Sequence, residues 1–297
     1  MTSLVHDTRP ALEAPAAAPA ARRSRMTPGR WVVWALLVGG ALVMAFPVYW
    51  ILVTALTPGG QSRSGEFYLW PSEPTLANFA EAFASQPVGR WIVNSIVIAG
   101  IGTAITVIVA LMAGYAFAKF SFRGRGVLFG AFLVTIVVPA QVTLVPSFLV
   151  VVDLHLVDTI WAVILPRAGD AIAVFIARQF MLKIPDALLE AARIDGAGEL
   201  AIFRRIVLPM SGPLVGVLVI LAFMGKWNDF LWPLVTLQGT ENLTLPVALS
   251  SMQSSGIFDN PWGPIMAIAF LSLLPLLVVF LVFQRTFVQG IASTGLK

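Results

Sequence analysis

The chain contains no cysteine and only two histidines, and charged residues make up just 11% of its 297 positions. Without cysteine there is no disulfide framework, no thiolate metal site and no cysteine nucleophile. A soluble globular domain usually has about a quarter of its residues charged. Here 58% of the residues are hydrophobic, and the mean hydropathy is +0.87. This composition excludes both an ordinary cytosolic enzyme and a chain that is disordered over most of its length.

Long apolar runs recur along the sequence, and each is long enough to cross a bilayer. A helix rises about 1.5 Å per residue, so a hydrocarbon core of about 30 Å needs about 20 apolar residues. The fourth run is interrupted by polar residues at 167–170, which leaves a re-entrant segment as the alternative there. We therefore predict an all-α, polytopic membrane protein with about six transmembrane helices. The predicted spans are 31–56, 91–118, 127–152, 159–182, 213–237 and 263–283.

Basic residues are distributed unevenly over the segments that flank these spans. With the amino terminus in the cytoplasm, fifteen of the nineteen Lys and Arg residues lie on the cytoplasmic side, two lie outside and two lie within spans. The positive-inside rule predicts this bias, and the opposite topology would violate it. The bias also explains the net charge of +4 without a nucleic-acid partner. We predict that both termini are cytoplasmic, with a disordered tail at 1–30, a transmembrane domain at 31–290 and a short tail at 291–297.

The cytoplasmic loop at 184–212, between the fourth and fifth spans, is long and patterned. Pro185 and Asp186 favour a helix start, because proline is tolerated in the first turn and a carboxylate there interacts well with the helix dipole. Apolar residues then recur every three or four positions until Gly196, a residue type that commonly ends a helix. The pattern predicts a short amphipathic helix, a sharp turn and a second helical segment. From pattern alone, a connector lying on the membrane surface is an equally good interpretation.

Seven residues of this loop stand at a characteristic spacing, namely Glu190, Ala191, Ala192, Gly196, Ile206, Leu208 and Pro209. In type and spacing they resemble the EAA loop of ABC-importer permeases, which reads EAA, three residues, G, nine residues, I, one residue and LP. Asp195 and Ala197, which flank the glycine, and Phe203 make the chain similar to the carbohydrate-uptake, or maltose-type, group. Within that group it resembles the smaller permease subunit, which has six spans and no large external domain.

The resemblance implies a type I ABC-importer permease fold in a bacterial or archaeal inner membrane, with a cytoplasmic coupling helix. It implies four kinds of partner: a second homologous permease, two copies of a cytoplasmic ATPase, an extracytoplasmic solute-binding protein and the sugar substrate. ATP and Mg²⁺ would be bound by the ATPase, so no cofactor is expected in this chain. The residues expected to couple the chain to the ATPase are Glu190, Ala191, Ala192, Asp195, Gly196, Ile206, Leu208 and Pro209.

Polar and aromatic residues within the fifth predicted span are candidates for a substrate path. Lys226 and Asp229 lie three residues apart, so they share a helix face and can pair. Trp227, Asn228 and Trp232 lie around them, where amides can bind sugar hydroxyls and aromatic rings can stack on a pyranose. The alternative is that these side chains hold two helices together. A second pair, Arg167 and Asp170 in the fourth span, is expected to be structural.

Other function classes find little support in the sequence. An integral-membrane enzyme would need a catalytic cluster, and no HExxH, paired-Asp or Ser–His arrangement is present. The two histidines, His6 and His155, have no ligand partner at metal spacing, so neither a metal site nor catalytic residues are expected. Gly225 and Lys226 lack the other residues of a phosphate-binding loop. The alternative within the transporter class is an importer of glycerol phosphates, which would favour more basic residues along the path.

Overall fold

A computed structural model describes residues 28–59, 68–254 and 262–295, with side chains up to 284. The described chain is helical. Most of the two predicted tails lies outside these residues, but α1 already includes residues 28–30 and α13 includes 291–295. The helices are α1 Pro28–Ala55, α2 Ala77–Ser85, α3 Val88–Lys119, α4 Arg125–Val137, α5 Ala140–Asp153, α6 Ile160–Ile164, α7 Ala171–Met181, α8 Asp186–Ile194, α9 Glu199–Met210, α10 Gly212–Trp227, α11 Leu231–Thr236, α12 Leu245–Ser254 and α13 Trp262–Gly295.

Three helices among the described residues are long and apolar enough to cross a membrane without a break, at Gly29–Ala55, Val88–Lys119 and Trp262–Gln284. Three further crossings are possible only if pairs of bent helices each count as one span. The bends are 107° between α4 and α5, 45° between α6 and α7, and 79° between α9 and α10. The chain therefore combines continuous apolar helices with interrupted ones.

The third predicted span, 127–152, consists of two helices, because the chain turns sharply between α4 and α5. Val138 adopts an extended conformation with ψ 117°, and Pro139 follows it. A residue before proline is sterically disfavoured in the helical region, and proline cannot donate the next helical hydrogen bond. The fifth predicted span, 213–237, is also interrupted, since α10 ends at Trp227 and α11 starts only at Leu231.

The interruption expected in the fourth span is present where the sequence indicated it. The helix α6 continues as a 3₁₀ turn over Leu165–Arg167, and α7 begins at Ala171. Asp170 caps α7, because its side chain accepts a hydrogen bond from the Ala173 backbone N–H at 2.9 Å. The polar break is thus built from a proline-containing turn followed by a capped helix start.

The helix α3 is the centre of the packing, with contacts to α6, α7, α10, α12 and α13. Its two halves belong to different clusters of buried side chains. The half that includes Trp91 and Ile98 packs with α6, α12 and α13, and the half that includes Leu111 and Tyr115 packs with α7, α8, α9 and α10. One uninterrupted helix therefore joins both parts of the interior.

The helices α3 and α7 approach each other closely at Gly114. An ideal Cβ placed on Gly114 would lie 2.6 Å from the Cβ of Ala177 and 2.9 Å from the backbone nitrogen of Arg178. Ala110 and Ala118, one turn to either side, are also buried. This ridge of small residues lets the two backbones meet, as small residues do in membrane helix packing.

Candidate coupling segment and transmembrane cavity

The helix α8 forms where the sequence predicted it, and its ends have clear causes. Pro185 is the N-cap residue, Asp186 supplies a carboxylate in the first turn, and Arg193 supplies a cation in the last. Both charges are favourable with respect to the helix dipole. Gly196 follows the C-cap residue with φ +80°, a left-handed conformation that glycine adopts without strain. The chain can therefore reverse within a few residues and begin α9.

The helix α8 has apolar residues on two sides. Leu189 is 1% exposed and packs into the buried cluster around α3 and α7, with Ala192 partly buried beside it. On the other side Leu188, Ala191 and Ile194 form an exposed apolar stripe, and Ile194 is 86% exposed. The pair Ala191 and Ala192 is therefore divided, since Ala192 packs against the chain itself and Ala191 faces away from it.

In the candidate coupling segment, residues 184–212, Glu199 is the centre of a small hydrogen-bonded network. Glu199 accepts hydrogen bonds from the Arg193 Nε at 2.7 Å and from the Tyr115 hydroxyl at 3.0 Å. The hydrogen bond from Arg193 holds the pKa of the Glu199 carboxyl below its ordinary value, although partial burial acts in the opposite direction. Glu190 and Asp195 are exposed on the surface of the segment.

The second half of the predicted motif produces a local change in helix type. Phe203–Val207 form a π-helical turn, in which the backbone N–H of Leu208 bonds to the carbonyl of Phe203. Pro209 follows immediately and has no backbone N–H, so it cannot donate a helical hydrogen bond. The wider π-helical turn therefore lies just before the residue that interrupts the hydrogen-bond pattern. Ile206 is partly buried, whereas Leu208 and Pro209 are exposed. These three residues lie where the chain returns to α10.

A polar cavity of about 400 Å³ lies where the interrupted helices meet. This volume lies within the usual range for small-molecule sites. The walls come from the break between α4 and α5, the break between α6 and α7, and one face of α10. Its lining residues are Thr135, Ile136, Ala140, Pro166, Arg167, Gly169, Asp170, Ala171, Ile172, Leu221, Ala222, Gly225 and Lys226. Interrupted helices around a polar cavity are the arrangement in which membrane transporters expose backbone groups to a substrate.

The charged residues of this region pair differently from the expectation. Lys226 does not pair with Asp229, and Arg167 does not pair with Asp170. Instead Arg167 forms an ion pair with Asp229 at 2.7 Å, and Lys226 donates a hydrogen bond to the carbonyl of Arg167 at 3.0 Å. These contacts join the α6–α7 break to α10. The pairing is therefore between helices and not along one helix.

Of the five residues predicted to line the substrate path, only Lys226 lines the cavity. Trp227 and Trp232 are each 3% exposed, and their indole N–H groups donate to the carbonyls of Ser272 and Ala162. Asn228 is exposed and donates to the Met224 carbonyl of its own helix. The geometry favours helix packing over sugar stacking for both tryptophans.

Several residues have roles in the structure that the sequence analysis did not assign to them. Asp170 and Arg167 line the cavity, and Gly102 lets the Lys226 side chain cross α3, since a Cβ there would lie 2.7 Å from the Lys226 Cδ. Tyr115 and Glu199 join α3 to the coupling segment. The polar break at 167–170 was the one sequence signal for the cavity, because charged residues inside an apolar run tend to face a cavity or a partner.

Continuous and interrupted apolar helices, a polar cavity at the interruptions and an amphipathic helix with an exposed stripe define a polytopic membrane transport protein. The family described as binding-protein-dependent transport system inner membrane component matches residues 106–293. The chain belongs to this family.

Named relatives agree with this assignment. The chain is 35% identical over 260 residues to the arabinooligosaccharides transport system permease protein AraQ of Bacillus subtilis (strain 168), covering 86% of this chain and 92% of that one. It is 32% identical over 266 residues to the sn-glycerol-3-phosphate transport system permease protein UgpE of Brucella abortus (strain 2308), covering 87% and 94%.

A solved structure shows the same fold. The structure of a bacterial ABC transporter involved in the import of the acidic polysaccharide alginate contains a chain that superposes with a TM-score of 0.78 at 23% identity, covering 89% of this chain and 99% of that one. The protein is thus an all-α permease subunit of an ABC importer, integral to the inner membrane, and a transport component instead of an enzyme. Such a permease acts with an ATPase and a binding protein.

Proposed function

We propose that this chain is one of two homologous membrane subunits of an importer for a neutral sugar or short oligosaccharide. An extracytoplasmic solute-binding protein delivers the substrate, and two copies of a cytoplasmic ATPase bind ATP and Mg²⁺ and drive the cycle. Both termini of the chain are cytoplasmic. The helix α8 is the coupling helix, and Glu190, Ala191 and Gly196 are the residues through which it is seated on the ATPase.

The exposed stripe of α8 is the observation that carries the coupling role. Leu188 and Ile194 are large apolar side chains on a short helix whose opposite face is already fixed to the fold by Leu189. Ala191 lies between them and is small enough to allow a close approach by another surface. An exposed apolar stripe bordered by charged residues such as Glu190 has the composition of a protein-binding surface. A separate ATPase that binds this stripe would move α8 and the spans attached to it.

The proposal of a sugar rests on the relatives and on the charges around the cavity. One relative transports arabinooligosaccharides and another sn-glycerol 3-phosphate, judging from their names. Two cations and one anion line the cavity, and Asp229 neutralises one of those cations by its ion pair with Arg167. The described charges therefore balance, and they offer a phosphate dianion no net positive potential. A neutral polyhydroxylated substrate fits this lining better.

Reconstitution of the whole importer tests the proposed function. We expect the tagged chain to co-purify in mild detergent with an ATPase and a second permease. In proteoliposomes, the loaded binding protein should stimulate ATP hydrolysis and support uptake of a labelled neutral oligosaccharide. An unlabelled excess of sn-glycerol 3-phosphate should leave that uptake unchanged. Purification without an ATPase would contradict the permease role, and uptake of glycerol phosphate in place of the sugar would contradict only the neutral substrate.

The substitution Lys226→Met tests the cavity as the substrate path. Methionine retains the apolar stem next to Gly102 but removes the ammonium group from the lining and its bond to the Arg167 carbonyl. We expect the uptake rate to fall about tenfold, the scale of one lost charge-assisted hydrogen bond, while the ATPase still co-purifies.

The neighbouring substitution Asn228→Ala is the matched control. It removes an amide that bonds only within its own helix turn among the described contacts. Uptake by the Asn228→Ala variant should match that of the unaltered protein. Equal uptake by all three proteins would exclude Lys226 from the path.

A further inference from the structure

Both ends of the coupling helix are linked to the last turn of α3, the amino end directly and the carboxyl end through Glu199 on α9. At the amino end of α8, the Lys119 ammonium donates to the Asp186 carboxylate at 2.6 Å and to the Ile184 carbonyl at 2.6 Å. The Lys119 side chain is only 5% exposed. A lysine that is removed from water is held firmly by its partners, because their loss would leave its charge unpaired.

At the carboxyl end of α8, the connection runs through Glu199. Its carboxylate accepts from Tyr115 on α3 with one oxygen and from Arg193 on α8 with the other. The Tyr115 ring is 5% exposed and packs against Phe120 and Phe203, so the hydroxyl is held in place. Tyr115 and Lys119 lie four residues apart and therefore on one face of α3. A single turn of α3 is thus linked to both ends of α8, directly at the amino end and through Glu199 of α9 at the carboxyl end.

The opposite end of α3 holds another loop in a similar way. The Trp91 indole donates to the Thr240 carbonyl at 2.7 Å, and the Asn94 amide donates to the Glu241 carbonyl at 2.9 Å. The Ser95 hydroxyl accepts from the Leu245 backbone N–H at 2.8 Å. Between these contacts and Lys119, α3 is one uninterrupted helix, whereas the pairs α4–α5, α6–α7 and α9–α10 are bent.

We propose that Tyr115 and Lys119 are positioning residues that lock the coupling helix to the end of α3, so that α8 and α3 move as one body during the transport cycle. The proposal rests on the proposed function, because it presumes that α8 is seated on an ATPase. Helix α3 then carries the displacement of α8 across the membrane to the loop at 240–245. The bent helices change their angles around this rigid element and open or close the cavity beside it.

Helix α8 needs polar contacts at both ends to keep a fixed orientation. The chain enters α8 after only four residues that follow α7, and it leaves through the Gly196 turn. Without polar contacts at both ends, the Leu189 side would be held by apolar packing alone, which is not directional. The helix could then rotate or slide under load. Hydrogen bonds to charged groups at both ends fix its register.

Functional assays of the whole reconstituted complex test the proposal with three variants. Lys119→Met removes the ammonium and both of its hydrogen bonds at the amino end of α8. Tyr115→Phe removes only the hydroxyl, and Arg193→Glu reverses the charge that faces Glu199. We expect each variant to retain the bound ATPase and its basal hydrolysis. The amount of substrate transported per ATP should fall about tenfold in Lys119→Met, within the range measured for coupling residues. The double variant Arg193→Glu with Glu199→Arg should recover most of the loss of Arg193→Glu.

Lys183→Met is the matched control, because Lys183 is an exposed lysine close to the start of α8. The Lys183→Met variant should transport the same amount of substrate per ATP as the unaltered protein. An unchanged amount of substrate per ATP in Lys119→Met, Tyr115→Phe and Arg193→Glu would overturn the proposal. Failure of the charge exchange between positions 193 and 199 to restore coupling would also overturn it. An unaltered complex that shows no substrate-stimulated hydrolysis would overturn the proposed function as well, so the two failures can be told apart.

A distance measurement covers the case in which the variants do not assemble. The chain has no cysteine, so spin labels can be placed at Met112→Cys on α3 and Ala187→Cys on α8, both at exposed positions. The label distance should differ by less than about 2 Å, an ordinary helix shift at a packed interface, between the nucleotide-free and the vanadate-trapped complex. A larger change would show that α8 moves relative to α3 and would contradict the lock.

Discussion

Replacing Gly196 with valine will abolish the stimulation of ATP hydrolysis by the loaded binding protein, while the permease still inserts into the membrane. The reason is local, because Gly196 has φ +80° and no atom lies within 4 Å of an added Cβ. The cost is therefore backbone strain, about 1–2 kcal/mol for an ordinary residue in the left-handed region and more for a β-branched one. To relieve it, the turn must change, and the stripe of α8 loses its alignment with the ATPase.

Two substitutions serve as controls for the Gly196 prediction. Gly198→Ala changes a glycine two residues away with φ −71°, a value that alanine adopts freely. Gly196→Asn introduces a residue that tolerates the left-handed conformation better than valine does. Both should keep most of the stimulation, measured as ATP hydrolysis in proteoliposomes with and without binding protein. Equal loss in Gly198→Ala would mean that the φ of Gly196 is not the cause.

Gly114→Leu is expected to prevent recovery of folded protein. The first side-chain carbon already overlaps Ala177 and the backbone of Arg178, and a rotamer change cannot relieve a clash that involves Cβ. Overpacking usually costs about 1–3 kcal/mol, and here the clash involves the backbone of the neighbouring helix. The α3–α7 interface must separate, which also displaces Tyr115 and Lys119 from the coupling segment.

Gly100→Leu is the matched control, because it lies on the same helix and no atom is within 4 Å of an added Cβ. Thermal unfolding in mild detergent and the yield of monodisperse protein on size exclusion measure the difference. Gly100→Leu should resemble the unaltered protein, and Gly114→Leu should yield aggregated or much less stable protein. Similar stability of the two variants would contradict the close crossing of α3 and α7.

The sequence predicts most strongly where local rules decide the structure. The start of α8 at Asp186, the turn at Gly196 and the polar break at 167–170 all follow from capping, backbone freedom and polarity. A bend at Pro139 is also consistent with local rules, because Val138 precedes a proline and proline interrupts the helical hydrogen bonds. Its size of 107° does not follow from them, since hydropathy alone reads 127–152 as one apolar run.

Tertiary contacts explain the errors at the candidate site. Spacing along one helix suggested the pairs Lys226–Asp229 and Arg167–Asp170, but the fold brings Arg167 to Asp229 and leaves Asp170 to cap α7. Similarly, Ala191 and Ala192 are adjacent in sequence but about 100° apart around a helix. Only the position of the core decides that Ala192 packs inward with Leu189. The hydrogen bonds from Tyr115 to Glu199 and from Lys119 to Asp186 join residues more than sixty positions apart. No local sequence pattern predicts them.

A single introduced cysteine at Ile194 tests most directly whether α8 is the surface that binds the ATPase. Ile194 lies on the exposed stripe, whereas Leu189 on the opposite side is buried and provides the comparison. In vesicles that hold the complete importer, a membrane-impermeant maleimide should reach Ile194→Cys only from the cytoplasmic side. Removal of the ATPase should increase that labelling, and Leu189→Cys should remain unlabelled in both states. Labelling of Ile194→Cys from outside the cell, or labelling that does not depend on the ATPase, would contradict the account.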